Sequence, residues 1–131
     1  LQRFAFFTEY SRCDGRGPEP TESLLANLGD SPQEHEQDLL AYMSRSVCVA
    51  APGAMAPDIL NPSRCVTFYL MCDGFWLWRS CAEHFVRHYH YRVPREFLLH
   101  ARRRGFVPPP EDEVCRLFDA WTAEAASRPR D

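Results

Sequence analysis

The sequence predicts an α+β domain: a small antiparallel sheet around a central hairpin, with about four helices packed on it. Three observations predict this. Asp73-Gly74 stands between two apolar runs, the strongest short-range signal for a tight hairpin turn. The runs on either side, Cys65 to Cys72 and Phe75 to Trp78, are rich in the β-branched and aromatic residues that favour strands. After Trp78 the apolar period changes from two to nearly four. Ala82, Phe85, Val86 and Tyr89 then fall at i, i+3, i+4 and i+7, the stripe of a helix lying on a core. A type I′ turn is expected, with φ > 0 at both Asp73 and Gly74.

Taken in order, Leu1 to Tyr10 carries Phe4, Phe6 and Phe7 and reads as an edge strand or a segment docked in a groove. Ser11 to Pro20 is loop by its turn residues. Glu22 to Leu28 makes two helical turns, ended by Gly29 in the left-handed cap position. Ser31-Pro32-Gln33-Glu34 reads as a capping box, starting a helix that runs to about Arg45 and buries Leu39, Tyr42 and Met43 on the face it shares with His35. Val47 to Ala51 is a short strand. Ala51 to Pro57 is a connector, and Pro57 to Pro62 holds at most one helical turn. Pro94 opens a helix that turns Phe97, Leu98 and Ala101 inward and ends at Gly105, with Arg102, Arg103 and Arg104 in its last turn, where cations suit the helix dipole. Pro108 to Pro110 is a stiff spacer. Glu111 to Ala126 is the most regular helix, with Val114, Leu117, Phe118, Trp121 and Ala125 on one stripe, and Ser127 to Asp131 is a frayed tail.

The 131 residues fit a single domain, 1–131, long enough for a sizeable core. No run approaches the ~20 apolar residues of a membrane span, and no charged-then-apolar leader stands at the start. Leu1 in place of Met leaves a removed segment open. Six Cys, at 13, 48, 65, 72, 81 and 115, form no Cys-x-x-Cys pair, so the expectation is of reduced, mostly buried thiols in a cytoplasmic protein. Charge is segregated. Residues 79–104 hold seven Arg against two Glu, whereas residues 1–78 hold five Arg against ten acids. A basic region beside four of the five His would meet an acidic partner.

Cys81-x-x-His84-x-x-x-His88 is the sharpest chemical candidate, since the three fall within about 60° on a helix and can share a metal with Cys72 or His100. No second ligand pair at zinc spacing accompanies it, so no metal or cofactor is expected. A Cys–His nucleophile would use Cys81, Cys72 or Cys115 with His84 or His88, but no oxyanion-hole motif is present. Arg102 to Arg104 can contact phosphates, yet a net charge of −3 argues against a nucleic-acid accessory role. Protein recognition remains, with Trp76, Trp78, Arg79, Arg87, Arg92, Arg102, Arg103 and Arg104 as candidate binding residues, because Trp and Arg dominate binding hot spots. Core packing is the default for the two Trp.

Asp73-Gly-Phe-Trp76-Leu-Trp78, followed by Phe85-Val86-x-x-Tyr89-His90-x-x-x-Pro94-x-Glu96-Phe97, resembles a pattern of small uncharacterised bacterial proteins. Their version runs roughly Thr-Asp-Gly-x-Trp-x-Trp-Pro-x-Asp-Leu-x-Tyr-Tyr-Val-x-x-Tyr-His-Val-x-Leu-Pro-x-Glu-Phe. Leu40-x-Tyr42 and Asp58-Ile-Leu60 are weaker matches. The resemblance implies a stand-alone accessory or immunity-type binding module rather than an enzyme, and the expected partner is a protein such as a toxin. Where the pattern has Pro, Asp, Leu and Tyr, this chain has Arg79, Cys81, Ala82 and His84, which further lowers the metal reading. His90 matches, and is read as a helix-terminal hydrogen-bonding residue.

Overall fold

The computed structural model describes residues 1–11 and 17–127. Its elements run β1 (Gln2–Phe4), α1 (Glu36–Arg45), β2 (Val47–Ala50), β3 (Met55–Asp58), β4 (Asn61–Thr67), β5 (Leu70–Cys72), β6 (Trp76–Arg79), α2 (Cys81–Tyr89), α3 (Arg95–Arg103) and α4 (Glu111–Ser127). Four strands form one sheet in the order β1-β6-β5-β2, and β3 pairs with β4 in a separate hairpin. The α+β expectation holds. The main sheet is mixed rather than wholly antiparallel, because β1 joins β6 in parallel, Gln2 opposite Trp76 and Phe4 opposite Trp78.

Strand alternation sorts the side chains to two cores. Phe4, Met71, Trp76 and Trp78 share the larger one with Tyr42 of α1, Phe85 of α2 and Phe97 of α3. The Phe4 ring lies 4.5 Å from Phe97 and stacks on Trp78 at 5.5 Å, so β1 closes an aromatic cluster. On the opposite face Cys72 and Leu77 meet Val114 of α4, with Val47, Val49, Leu70, Phe118 and Trp121 around them. The hairpin is thus covered on both faces.

Several expectations are corrected. Asp73 does not adopt positive φ; Gly74 alone does, at 94°. Asp73 instead precedes the two central residues, Gly74 and Phe75, and its Oδ1 accepts from the amides of Phe75 (2.9 Å) and Trp76 (2.7 Å). The turn therefore has the type II′ pattern, Gly first, in place of I′. The 65–72 run is not one strand. Ser80 breaks it: its hydroxyl bonds Thr67 Oγ1 at 2.7 Å and accepts from the Tyr69 amide at 2.9 Å, bending the chain so that β4 leaves the sheet. Residues 55–67 form a hairpin where a connector and a helical turn were expected.

Gly29 is not in the left-handed region; the Arg92 guanidinium lies against it, 2.6 Å from where a Cβ would stand, a place the flexible arginine can vacate. Only Leu25–Asn27 is helical in that segment, as one 3-10 turn. The helix expected from Ser31 begins at Glu36, after His35 at φ 57°. Gln33 is diverted: its side chain donates to Tyr91 O (2.7 Å) and accepts from the Val93 amide (3.2 Å). The loop and tail expectations at 12–16 and 128–131 lie outside the described residues. No helix of the described residues is long and apolar enough to cross a membrane.

Candidate functional site

The acids of the interior are spoken for by their own chain. Asp73, wholly buried, gives Oδ1 to the turn amides and Oδ2 to Tyr42 Oη (2.5 Å) and His100 Nε2 (3.0 Å). Asp58, also wholly buried, accepts from the Leu60 amide with Oδ1 (2.8 Å), and its Oδ2 bonds His84 Nε2 (2.8 Å) and Tyr89 Oη (2.9 Å). Burial alone would raise the Asp58 carboxyl; the bonds from His84, the Leu60 amide and Tyr89 reverse this and hold it below its ordinary value. A third pair joins His90 Nδ1 to buried Glu36 at 3.0 Å. His90 sits at the end of α2 with φ 53°, so its helix-terminal bonding role is realised. Glu9 caps the Leu24 and Leu25 amides and accepts from Ser23 Oγ; these bonds outweigh burial and bring it to about 2.

An imidazole held by a carboxylate can serve as a general base, and covalent catalysis would further need a side-chain nucleophile in its reach. Among the described residues no hydroxyl or thiol is hydrogen-bonded to His84 or His100 apart from what their carboxylates bind. Cys81 is buried and its thiol is pushed up to about 12 by that burial; Cys72 likewise reaches about 11. Both stay protonated at neutral pH, which is unsuited to attack. Cys48 and Cys65 are exposed and Cys115 half-buried, so the expectation of mostly buried thiols is corrected. His84 and His88 do come together, rings 4.6 Å apart, with an Arg64 Nη1 bonded to His88 Nδ1 at 3.0 Å. Yet no three His, Cys, Asp or Glu of the described residues converge as a metal would need.

The chain was compared with protein-family models, with curated proteins and with solved structures. It matches none of them.

The sequence-predicted binding residues separate into three kinds. Trp78 is wholly buried and Trp76 nearly so; both build the aromatic core and present no face to a partner. Arg79, Arg92 and Arg104 are half-buried. Arg79 lies over Phe6 at 5.0 Å and donates to Phe68 O at 3.2 Å, with burial drawing its guanidinium below its usual value. Arg92 packs on Gly29. Arg104 lies over Phe75 at 5.7 Å, its buried Nε without a hydrogen-bond partner among the described residues. Arg87, Arg102 and Arg103 are exposed. Arg102 pairs with Glu34 at 3.6 Å. Arg87, Arg103 and also Arg95 have no carboxylate within ion-pairing distance among the described residues, although Glu83 feels the charge of Arg87, so α2 and α3 carry a surplus of positive charge on their outer sides.

Sequence reasoning touched Asp58 only within a weak match and missed its role as a buried hydrogen-bonding centre. The available signal was Asp between Pro57 and Ile59 in a segment ending Asn61-Pro62, a turn initiator that was weighed as helix instead.

Proposed function

We propose that this chain is a non-catalytic bacterial protein-binding module of the immunity type, acting in the cytoplasm to neutralise a toxin. The arginine face of α2 and α3 would lie against an acidic surface of that partner. One observation carries the reading: Arg87, Arg95 and Arg103 are exposed and, among the described residues, have no carboxylate within ion-pairing distance, while the buried carboxylates Asp58, Asp73 and Glu36 are bonded within the chain. Exposed cations of one sign speed encounter with an oppositely charged surface and select against wrong partners. The burial of Cys72 and Cys81 and the resemblance around Asp73 to Phe97 favour binding over thiol chemistry.

Affinity capture from the native host at low salt tests this, with the triple variant Arg87→Glu, Arg95→Glu, Arg103→Glu run in parallel. The expected result is an acidic protein retained by the parent and lost by the variant. Expressed alone it arrests growth, and co-expression of this chain relieves the arrest. Capture of nothing by the parent, or equal capture by both forms, overturns the proposal.

A further inference from the structure

Two guanidinium groups stand on one aromatic ring. Arg3 and Arg79 lie 4.9 and 5.0 Å from the centroid of Phe6. Among the described residues each donates once to a backbone carbonyl, Arg3 to Glu19 O and Arg79 to Phe68 O, both at 3.2 Å. Neither has a carboxylate within ion-pairing distance among the described residues. A guanidinium carries five N–H donors, so among the described residues most of the donors of both groups have no partner. Aromatic faces offset part of the cost of drawing Arg79 out of water, but an anion offsets far more.

Beside the two cations a cavity of about 350 Å³ opens between the main sheet and α4. Leu70, Leu77, Phe68, Phe118 and Trp121 line it, and Arg3 and Arg79 stand on its wall. The size falls within the range of small-molecule pockets. Its apolar walls offer one polar side-chain group, the Trp121 indole N–H, so the body of an occupant is hydrocarbon and its polar end lies at the arginines.

We propose that this cavity binds a single-chain acyl carboxylate, the carboxylate lying at the end of the cavity lined by Arg3 and Arg79 and the chain lying against Leu70, Leu77, Phe118 and Trp121. The site is separate from the α2 and α3 surface and independent of any protein partner.

The whole chain titrated with sodium decanoate, decanol and decyltrimethylammonium by calorimetry tests this. Decanoate is expected to bind, decanol about tenfold or more weaker, and the cationic analogue not at all. Arg79→Gln and Arg3→Gln each weaken decanoate by about tenfold and leave decanol unchanged. Arg3 lies at the sheet edge, so Arg3→Gln gives the answer if Arg79→Gln fails to fold, as circular dichroism reports. Leu70→Trp, which fills the cavity, abolishes decanoate binding. Absence of decanoate binding up to about millimolar concentration overturns the proposal. So do equal affinities for decanoate and decanol, or decanoate binding that Arg3→Gln leaves intact.

Discussion

At the β5–β6 turn, Asp73 holds two backbone amides with one carboxylate oxygen and Tyr42 and His100 with the other. At the β3–β4 turn, Asp58 holds the Leu60 amide with one oxygen and His84 and Tyr89 with the other. The chemistry is nearly the same: a buried acid, its own turn, one tyrosine and one imidazole Nε2. What differs is where the partners come from. Tyr42 belongs to α1 and His100 to α3, so Asp73 ties two helices to the main sheet. His84 and Tyr89 both belong to α2, so Asp58 ties one helix to a hairpin that is otherwise largely exposed. A buried carboxylate matters in proportion to the elements that meet on it.

Asp73→Ala should break the comparison hardest. It strands two amides, a phenol and an imidazole in the interior, with an expected loss of about 3–5 kcal/mol in denaturant unfolding. Asp58→Ala should cost less, about 2–3 kcal/mol, because its hairpin can loosen into water. Equal losses would show that the second hairpin is as integral as the first. Tyr89→Phe, which removes one bond from Asp58, is expected to cost about 1 kcal/mol.

Acid sharpens the contrast. A carboxyl whose folded value is lowered stabilises fully above its unfolded value of about 4, and that stability is lost as pH falls through the folded value. Asp58→Asn should therefore lose less Tm than the parent between about pH 7 and pH 3. Identical slopes would mean that the bonds from His84 and Tyr89 do not hold the acid ionised. The smallest stability effect belongs to the surface. Arg95→Glu with Arg103→Glu should change unfolding by no more than about 0.5 kcal/mol, because neither arginine has an ion pair to lose among the described residues. The same change should cut partner association by about tenfold or more.

The β5–β6 hairpin and the helices after it were legible because their signals are local. Asp73-Gly74 marks a turn within four residues, and Ala82, Phe85 and Val86 show a helical period within one turn. Trp76 and Trp78 were legible as a pair on one face, and their burial follows from the ring cluster with Phe4 and Phe97. The second hairpin was not legible. Pro57 and Pro62 punctuate it, and most of its side chains face water, so no alternation of apolar residues announces it. The parallel pairing of β1 with β6 was likewise hidden, because nothing near Gln2 records its distant partner. The start of α1 misled for a third reason: Gln33 bonds to Tyr91 and Val93, and that tertiary pull overrode a good local capping sequence. As for the site, the arginine excess was plain in the sequence, but which arginines are free depended on where Glu34, Gly29 and Phe6 came to lie.

Phe4 reaches Trp78 from more than half the chain away. During synthesis the opening residues therefore leave the ribosome long before the strand that receives them exists. Until that strand is made, four aromatic side chains among the first ten residues stay exposed to any sticky neighbour. The segment around Phe4 is what a chaperone would hold longest, and a gap in the interior that the later strands leave open is closed by a piece made well before them.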